Sequence, residues 1–260
     1  MTSRPMILGD MTWRELEESL DLIEVALVPV GALEQHGPNL SMRCDAALAE
    51  EVALRLEKRY RPRVLVAPTI PLGISEHHMS FLGTISLREG TLIAIARDVV
   101  SSLMRHGLRR FLFINGHGGN IPALSVACSE IERDLSCPFV AASTYFASYD
   151  TAVDAEYPDC GKGGHACGME VSLALSLRPD LVRSGALEAH EPGPRLAEGD
   201  VVLPLVENRA LEMPYDFREI TLNGCLGDAR EASEAYGDAM VESILERIGG
   251  LIEMIAREYA

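Results

Sequence analysis

The chain has 260 residues, 47% hydrophobic and 24% charged, with a net charge of -16, which suits one large or two small soluble globular domains with a sizeable core. Such acidity speaks against a nucleic-acid interface, which needs clustered Lys and Arg. No apolar run reaches the roughly 18 residues of a membrane span, and the early charges of residues 1–15 do not read as a signal peptide, so a cytoplasmic protein without nucleic-acid or membrane partners is expected.

Asp10 or Thr12 is placed to cap a short helix over residues 13–20. Val25–Val30 is an apolar run bounded by polar residues and reads as a first, buried strand. A polar stretch, residues 31–45, separates it from a helix over 46–60, where Leu48, Val52 and Leu56 recur at helical spacing. Residues 63–68 read as a second strand. A long loop over 69–83 carries Ser75-Glu76-His77-His78, and 84–87 read as a short strand. The helix expected over 91–106 is stopped by Gly107. Arg110–Asn115 is a third buried strand, running directly into Gly116-His117-Gly118-Gly119-Asn120. Asn120 is placed to cap a helix over 121–134, with Pro122 tolerated in its first turn. Residues 139–143 form a fourth strand and 144–164 a loop. Gly168–Leu177 is helical and ends before Pro179. Residues 188–223 are rich in Pro and Gly without a long periodic segment. A closing amphipathic helix spans 229–258, with a kink expected at Gly249-Gly250. This alternation of strand and helix implies an α/β fold with a mainly parallel sheet covered on both faces. Without an internal repeat or linker, 1–260 reads as one domain.

Three stretches carry chemistry. Glu34, His36 and Asp45 are metal-ligand types within a dozen residues. On an extended backbone, Glu34 and His36 point to the same side. Gly37-Pro38 then turns the chain and delivers Asp45 at the start of the next helix. The carboxyl end of a strand is where open α/β sheets bind ligands; the alternative is a polar loop with Asp45 as an N-cap. In residues 115–120, NGHGGN, a P-loop is excluded by the absence of Lys and Ser/Thr after the glycines, and the spacing does not match GxGxxG. The remaining use of the turn is to hold His117 tightly against the sheet end. Both stretches follow buried strands and are expected at one sheet edge, which favours a metal. In residues 163–172, His165 lies in a glycine-rich loop and suits proton transfer. Glu170, on the following helix, completes a ligand set or is simply solvated. The six cysteines form no CxxC pair, against a zinc ribbon or a thioredoxin-like site. Cys44 and Cys167, beside candidate site residues, read as small packing residues.

In that order, GALEQHGPNL with the following Asp45, SEHH, NGHGGN and HACGMEVS resemble the creatinine amidohydrolase (creatininase) family of metal-dependent hydrolases. EITLNGCLGDAR, residues 219–230, resembles it too, so the likeness runs over nearly the whole chain. It implies a three-layer α/β/α sandwich and a pair of divalent ions, zinc or manganese with iron possible, often in a homohexamer. Carried over residue by residue, it makes Glu34, His36, Asp45, His117 and Glu170 the metal ligands. Asp45 bridges, Glu34 and His117 sit mainly on one ion, His36 and Glu170 on the other, and His165 transfers the proton. Two His with three carboxylates suit zinc or manganese independently. Ions about 3.5–4 Å apart can clamp a water and lower its pKa from about 15.7 to about 7. The resulting hydroxide attacks an amide or amidine-like carbon, one ion polarises the carbonyl, and His165 protonates the leaving nitrogen. The N–H groups of Gly118 and Gly119 are candidates for binding the substrate or the oxyanion. His77 and His78 are expected in the substrate pocket or just behind the ligands, or else on a surface loop.

The chain departs from the family pattern at Asn39, Ser41 and Arg43-Cys44, where many relatives read His, Pro and Gly-Thr. Asn39 removes a residue able to support a ligand from behind. Creatininases proper enclose their small ring with tryptophans near the catalytic His; here the one Trp, Trp13, is far from the motifs. Tyr145, Phe146, Tyr149 and Tyr157 are the available stand-ins, and the resemblance does not carry creatinine itself over as the substrate. The family also contains a formamidopyrimidine-nucleotide deformylase and a peptidase of a ribosomally made peptide, and residues 188–223 are expected to help choose among such substrates. The leading expectation is a dinuclear amidohydrolase cleaving a C–N bond of a small molecule. The alternatives are a metallopeptidase trimming a short peptide and a non-catalytic metal-binding or assembly protein.

Overall fold

The structure is a computed structural model describing residues 4–160, 163–194 and 214–259. A helix, α1 (Trp13–Ser19), precedes the first strand and is closed by a capping box: Thr12, not Asp10, accepts from the Glu15 N–H, and the Glu15 carboxylate accepts from the Thr12 N–H. Four strands, β1 (Val25–Val30), β2 (Val64–Val66), β3 (Arg110–Asn115) and β4 (Phe139–Thr144), form a parallel sheet in the order β2-β1-β3-β4.

Central β1 is buried on both faces, which is why it reads as one unbroken apolar run. Its side chains divide by alternation. Val25 and Leu27 join one core with α2 (Cys44–Tyr60), α6 (Gly168–Leu177) and the closing helix α8 (Glu234–Glu258). Ala26, Val28 and Val30 join the other core with α3 (Glu89–Arg105) and α4 (Ile121–Leu135). The result is helices on both faces of a parallel sheet. Because β1 lies between β2 and β3, the chain reverses its direction of travel there. The crevice at the carboxyl ends of β1 and β3 is therefore the topological switch point of the sheet.

Several local expectations give way to tertiary contacts. Residues 84–87 make only isolated bridges, Leu33 with Ile85 and Gly73 with Ser86. Asn120 does not cap α4. Its Oδ1 accepts from the Ile74 N–H at 2.9 Å, and its Nδ2 donates to Gly31 O at 3.0 Å and Asn115 Oδ1 at 3.2 Å. Helix α8 runs unbroken through Gly249-Gly250. Gly249 serves close packing instead, since a Cβ there would collide with the Tyr60 hydroxyl. The loop over 144–164 contains a short helix, α5 (Ala152–Glu156), and the start of β5 (Gly163–His165), which pairs antiparallel with β6 (Leu226–Gly227). Between these strands lies α7 (Phe217–Ile220). Most of the Pro- and Gly-rich segment, residues 195–213, lies outside the described residues. Tyr145 belongs to the core against α2, and Phe146, Tyr149 and Tyr157 pack on that cluster. No helix among the described residues is long and apolar enough to cross a membrane.

Candidate metal centre

Two glycines assemble the site. Gly31 follows β1 and Gly116 follows β3; a Cβ on Gly31 would run into the backbone of Asp45 and Ala46, and one on Gly116 into that of Asp45. The first turn of α2 thus sits directly against both strand ends and carries Asp45 into the switch-point crevice. On the other side, Asn115 holds the next residue but one: its Oδ1 accepts from the His117 N–H at 3.2 Å and its Nδ2 donates to His117 O at 2.7 Å.

Glu34, His36, Asp45 and His117 meet there, all buried. His36 Nε2 is 3.0 Å from Asp45 Oδ1. His117 Nδ1 stands between two carboxylates, 3.2 Å from Glu34 Oε1 and 3.2 Å from Asp45 Oδ2. His78 Nε2 and His165 Nδ1 approach the same Glu34 Oε1, at 3.5 and 3.8 Å. Glu34, Asp45 and His117 form one triplet able to hold an ion, and His36, Cys44 and Asp45 form another, so Asp45 is common to both. Glu34 also groups with His36 and His165, and with His77 and His78.

The electrostatics ask for positive charge. Burial alone would raise Glu34 and Asp45, yet His117 holds Glu34 below the usual carboxylate value, and His36 with His117 holds Asp45 well below it. Burial works against charging the imidazoles as well, but Asp45 pushes His36 up to about 10, and Glu34 with Asp45 raises His117 far above its ordinary value. Glu34 Oε2 nevertheless has no hydrogen-bond partner, and Asp45 Oδ2 has only the His117 Nδ1 contact at 3.2 Å. Buried carboxylate oxygens left unpaired are costly, and a divalent cation among these O and N donors would satisfy them. The outward ring nitrogens are set correspondingly: His36 Nδ1 donates to Glu34 O at 3.2 Å, and His117 Nε2 to Ile74 O at 2.8 Å. That pattern turns the other nitrogen of each ring inward, as in metal-binding histidines. The donor set fits a divalent metal.

The remaining predicted residues lie around this core. His165, at the end of β5, lies with its ring centre 4.5 Å from that of His36 and tilted by 43°, and its Nε2 donates to Gln35 O at 2.7 Å. Burial, with His36 beside it, lowers His165 to about 4. Glu170, in the first turn of α6, lies outside the ion-holding triplets; its Oε2 accepts from the Ala166 N–H, and burial pushes it up to about 7. Ala166 itself holds a left-handed backbone with φ 49°, local strain of the kind found at functional sites. Gly118 faces open space, whereas Gly119 lies tight under Ile74 O. His78 is buried against the cluster, not on a surface loop.

Sequence reasoning missed Gln35, Tyr215 and Phe217. The Phe217 ring lies 4.3 Å from His78 and 5.1 Å from His165, and Tyr215 lies 6.0 Å from His77. These rings, not Tyr145, Phe146, Tyr149 or Tyr157, stand against the site histidines. Cys44, read as a packing residue, is buried in the core and also falls in a triplet with His36 and Asp45. Gln35 was visible inside the first motif, but nothing local marked residues 215–217.

The profile of the Creatininase family, described as creatinine amidohydrolase, matches residues 9–252. Creatinine amidohydrolase of Pseudomonas putida is 29% identical over 273 residues, 99% of this chain and 98% of that protein. Mycofactocin precursor peptide peptidase of Mycobacterium ulcerans is 30% identical over 236 residues, 85% of this chain and 83% of that protein. Among solved structures, a variant creatininase of Zn-Zn type superimposes with a TM-score of 0.80 at 29% identity, covering 97% of this chain and 98% of that one. A creatininase with manganese gives a TM-score of 0.74 at 28% identity, covering 96% and 98%.

Proposed function

The chain belongs to the Creatininase family of hydrolases acting on amide C–N bonds, and from that premise we propose that it is a two-metal amidohydrolase working on a small molecule. The observation carrying this reading is the pair of triplets that share Asp45, with the buried Glu34 Oε2 left unpaired beside them. Glu34, Asp45 and His117 would hold one zinc or manganese ion. Asp45, His36 and Glu170 would hold the other, with Cys44 adjacent. Bound divalent ions supply Lewis-acid polarisation of a carbonyl and make water acidic enough to attack near neutral pH.

The protein's own groups do the rest. His165 donates its Nε2–H to Gln35 O, so Nδ1 is the nitrogen that takes a proton and hands it to the leaving nitrogen. Burial among Phe217, His36 and His78 excludes bulk water from that transfer. The N–H groups of Gly118 and Gly119 and the His78 ring would line the substrate side, a reading supported by the open space beside Gly118. Residues 1–260 act as one domain, in a cytoplasmic homohexamer.

A second reading, trimming of a short peptide, is favoured by the peptidase relative, 30% identical over 85% of this chain beside 29% over 99% for the creatinine amidohydrolase. Elemental analysis of protein purified without chelator tests both enzyme readings, with about two zinc or manganese ions per chain expected for a two-metal site. Zero or one ion after adding metal back would sink them in favour of a non-catalytic binding protein. A screen of cyclic amides, formamides and short peptides then separates the two, turnover of peptides alone overturning the small-molecule assignment.

A further inference from the structure

His36, His78, His117 and His165 each have one ring nitrogen facing in and one facing out, and the outward partner decides where the proton sits. For His36, His117 and His165 that partner is a backbone carbonyl: Glu34 O, Ile74 O and Gln35 O. A carbonyl only accepts, so the outward nitrogen carries a proton, and in the neutral ring the lone pair lies on the inward nitrogen. His78 is different. Its outward Nδ1 faces the side-chain Nε2 of Gln35 at 2.9 Å.

The orientation of the Gln35 carboxamide is fixed by two backbone partners. Its Oε1 accepts from the Gly37 N–H at 2.8 Å, and its Nε2 donates to Gly224 O at 3.1 Å. Gly224 has φ +85°, and a Cβ there would collide with Gln35 Oε1, so this glycine is what lets the carboxamide fit. One Nε2 hydrogen is committed to Gly224, and the other points at His78. An amide nitrogen is a donor only, so His78 Nδ1 must be the acceptor and the ring proton must lie on Nε2, facing in.

We propose that His78 is a hydrogen-bond donor to the substrate's carbonyl oxygen, its proton confined to Nε2 by Gln35, and that it is not a metal ligand. The proximity of Glu34, His77 and His78 would allow an ion. However, ligation through Nε2 would move the proton to Nδ1 and set it against the Gln35 N–H, two donors face to face. The inward N–H is also unspent: Glu34 Oε1, at 3.5 Å, is too far for a good hydrogen bond. The His78 and His165 rings are 4.5 Å apart and border the same space beside Glu34, so a substrate placed for proton transfer at His165 also meets His78 Nε2. The Phe217 ring, 4.3 Å away, keeps water from competing for that donor. A carbonyl oxygen gains negative charge as its carbon is attacked, so the bond strengthens in the transition state. Removing one such donor typically costs about 10²–10³ in turnover.

The role toward substrate rests on the amidohydrolase reading; the tautomer does not, and is read without turnover. Magic-angle-spinning 15N NMR of zinc-loaded protein labelled at histidine, with His78 identified by its loss in His78→Gln, should show a protonated Nε2 and a bare Nδ1. Gln35→Glu, which replaces the donor by an acceptor, should move the proton to Nδ1. His78→Ala should retain its zinc. Acetate, standing for the carboxylate that amide hydrolysis releases, should shift the His78 Nε2 resonance. A proton on Nδ1 in the wild type, an unmoved proton in Gln35→Glu, zinc loss in His78→Ala, or an Nε2 resonance indifferent to saturating acetate would overturn the assignment. Wild-type protein that binds no zinc sinks the amidohydrolase reading separately, while its His78 tautomer still reads out on its own.

Discussion

Loading the metal-free protein with zinc should expel protons, and the site gives the scale. Burial disfavours a charged His36, yet Asp45 Oδ1 at 3.0 Å outweighs it and pushes His36 up to about 10. His117, between Glu34 and Asp45, is raised in the same way. At pH 7 His36 therefore carries a proton on the nitrogen that a metal would take, and His117 is shifted in the same direction. Freeing His36 at that pH costs about 4 kcal/mol, at ~1.4 kcal/mol per pH unit over roughly three units. The signs run in opposite directions. His36 lies above its ordinary 6.5, so its pairing with Asp45 stabilises the metal-free fold fully below about 6.5 and is lost as pH rises through about 10. Zinc affinity instead rises across that window, by about tenfold per pH unit for each proton displaced. Calorimetric titration with zinc at pH 7, in two buffers of different ionisation enthalpy, should report at least one proton released per chain and approach two. His36→Ala should lower the count by about one. Heats identical in the two buffers would mean that neither His36 Nε2 nor His117 Nδ1 yields to the metal, and the ligand assignment would fall.

Glu34→Gln should cut bound metal to half or less by elemental analysis, because Glu34 belongs to the triplet with Asp45 and His117; full retention would remove Glu34 from the ligand set. His165→Ala should keep its metal but lose ~10²–10⁴ in turnover, the share of general acid–base catalysis; an unchanged rate on a verified substrate would take His165 out of the proton transfer. Gly116→Ala drives a methyl into the Asp45 backbone, and should cost about 1–3 kcal/mol in urea denaturation, the usual range for overpacking. The same variant should bind zinc more weakly, since Asp45 is pushed back; wild-type stability together with wild-type affinity would refute the account of how α2 docks.

How much of the fold is legible depends on where each element finds its partners. Strands β1 and β3 are buried on both faces, so their burial is written as consecutive apolar residues, and helices α2, α3 and α4 carry their core contacts at helical spacing. The misreadings at Gly249-Gly250 and Asn120 concern residues whose partners are distant in the chain. Gly249-Gly250 looks like a kink until the Tyr60 hydroxyl is seen against Gly249. Asn120 looks like a cap because a cap is the nearest use for an Asn before a helix. Its side chain instead ties Ile74 and Gly31 together, fixing the loop that carries His77 and His78 to the end of β1.

The same division runs through the site. Metal chemistry draws on few residue types, so Glu34, His36, Asp45 and His117 stand out, and the two glycines that follow the strands already imply a close approach. What each imidazole can do is decided elsewhere. Ile74 O, 43 positions before His117, sets the ring that faces Glu34 and Asp45; Gln35 O sets His165, and the Gln35 carboxamide sets His78 in the opposite sense. Gln35 lies between two candidate ligands, so its backbone and its side chain reach different histidines, and one residue leaves His165 ready to accept a proton and His78 ready to donate one. That opposition needs the strand end to be extended, so that Glu34 and His36 face the crevice while Gln35 faces the loop behind it. The alternation of side chains past β1 would thus align the candidate ligands and, through the one residue between them, set the proton on opposite sides of the two histidines beside them.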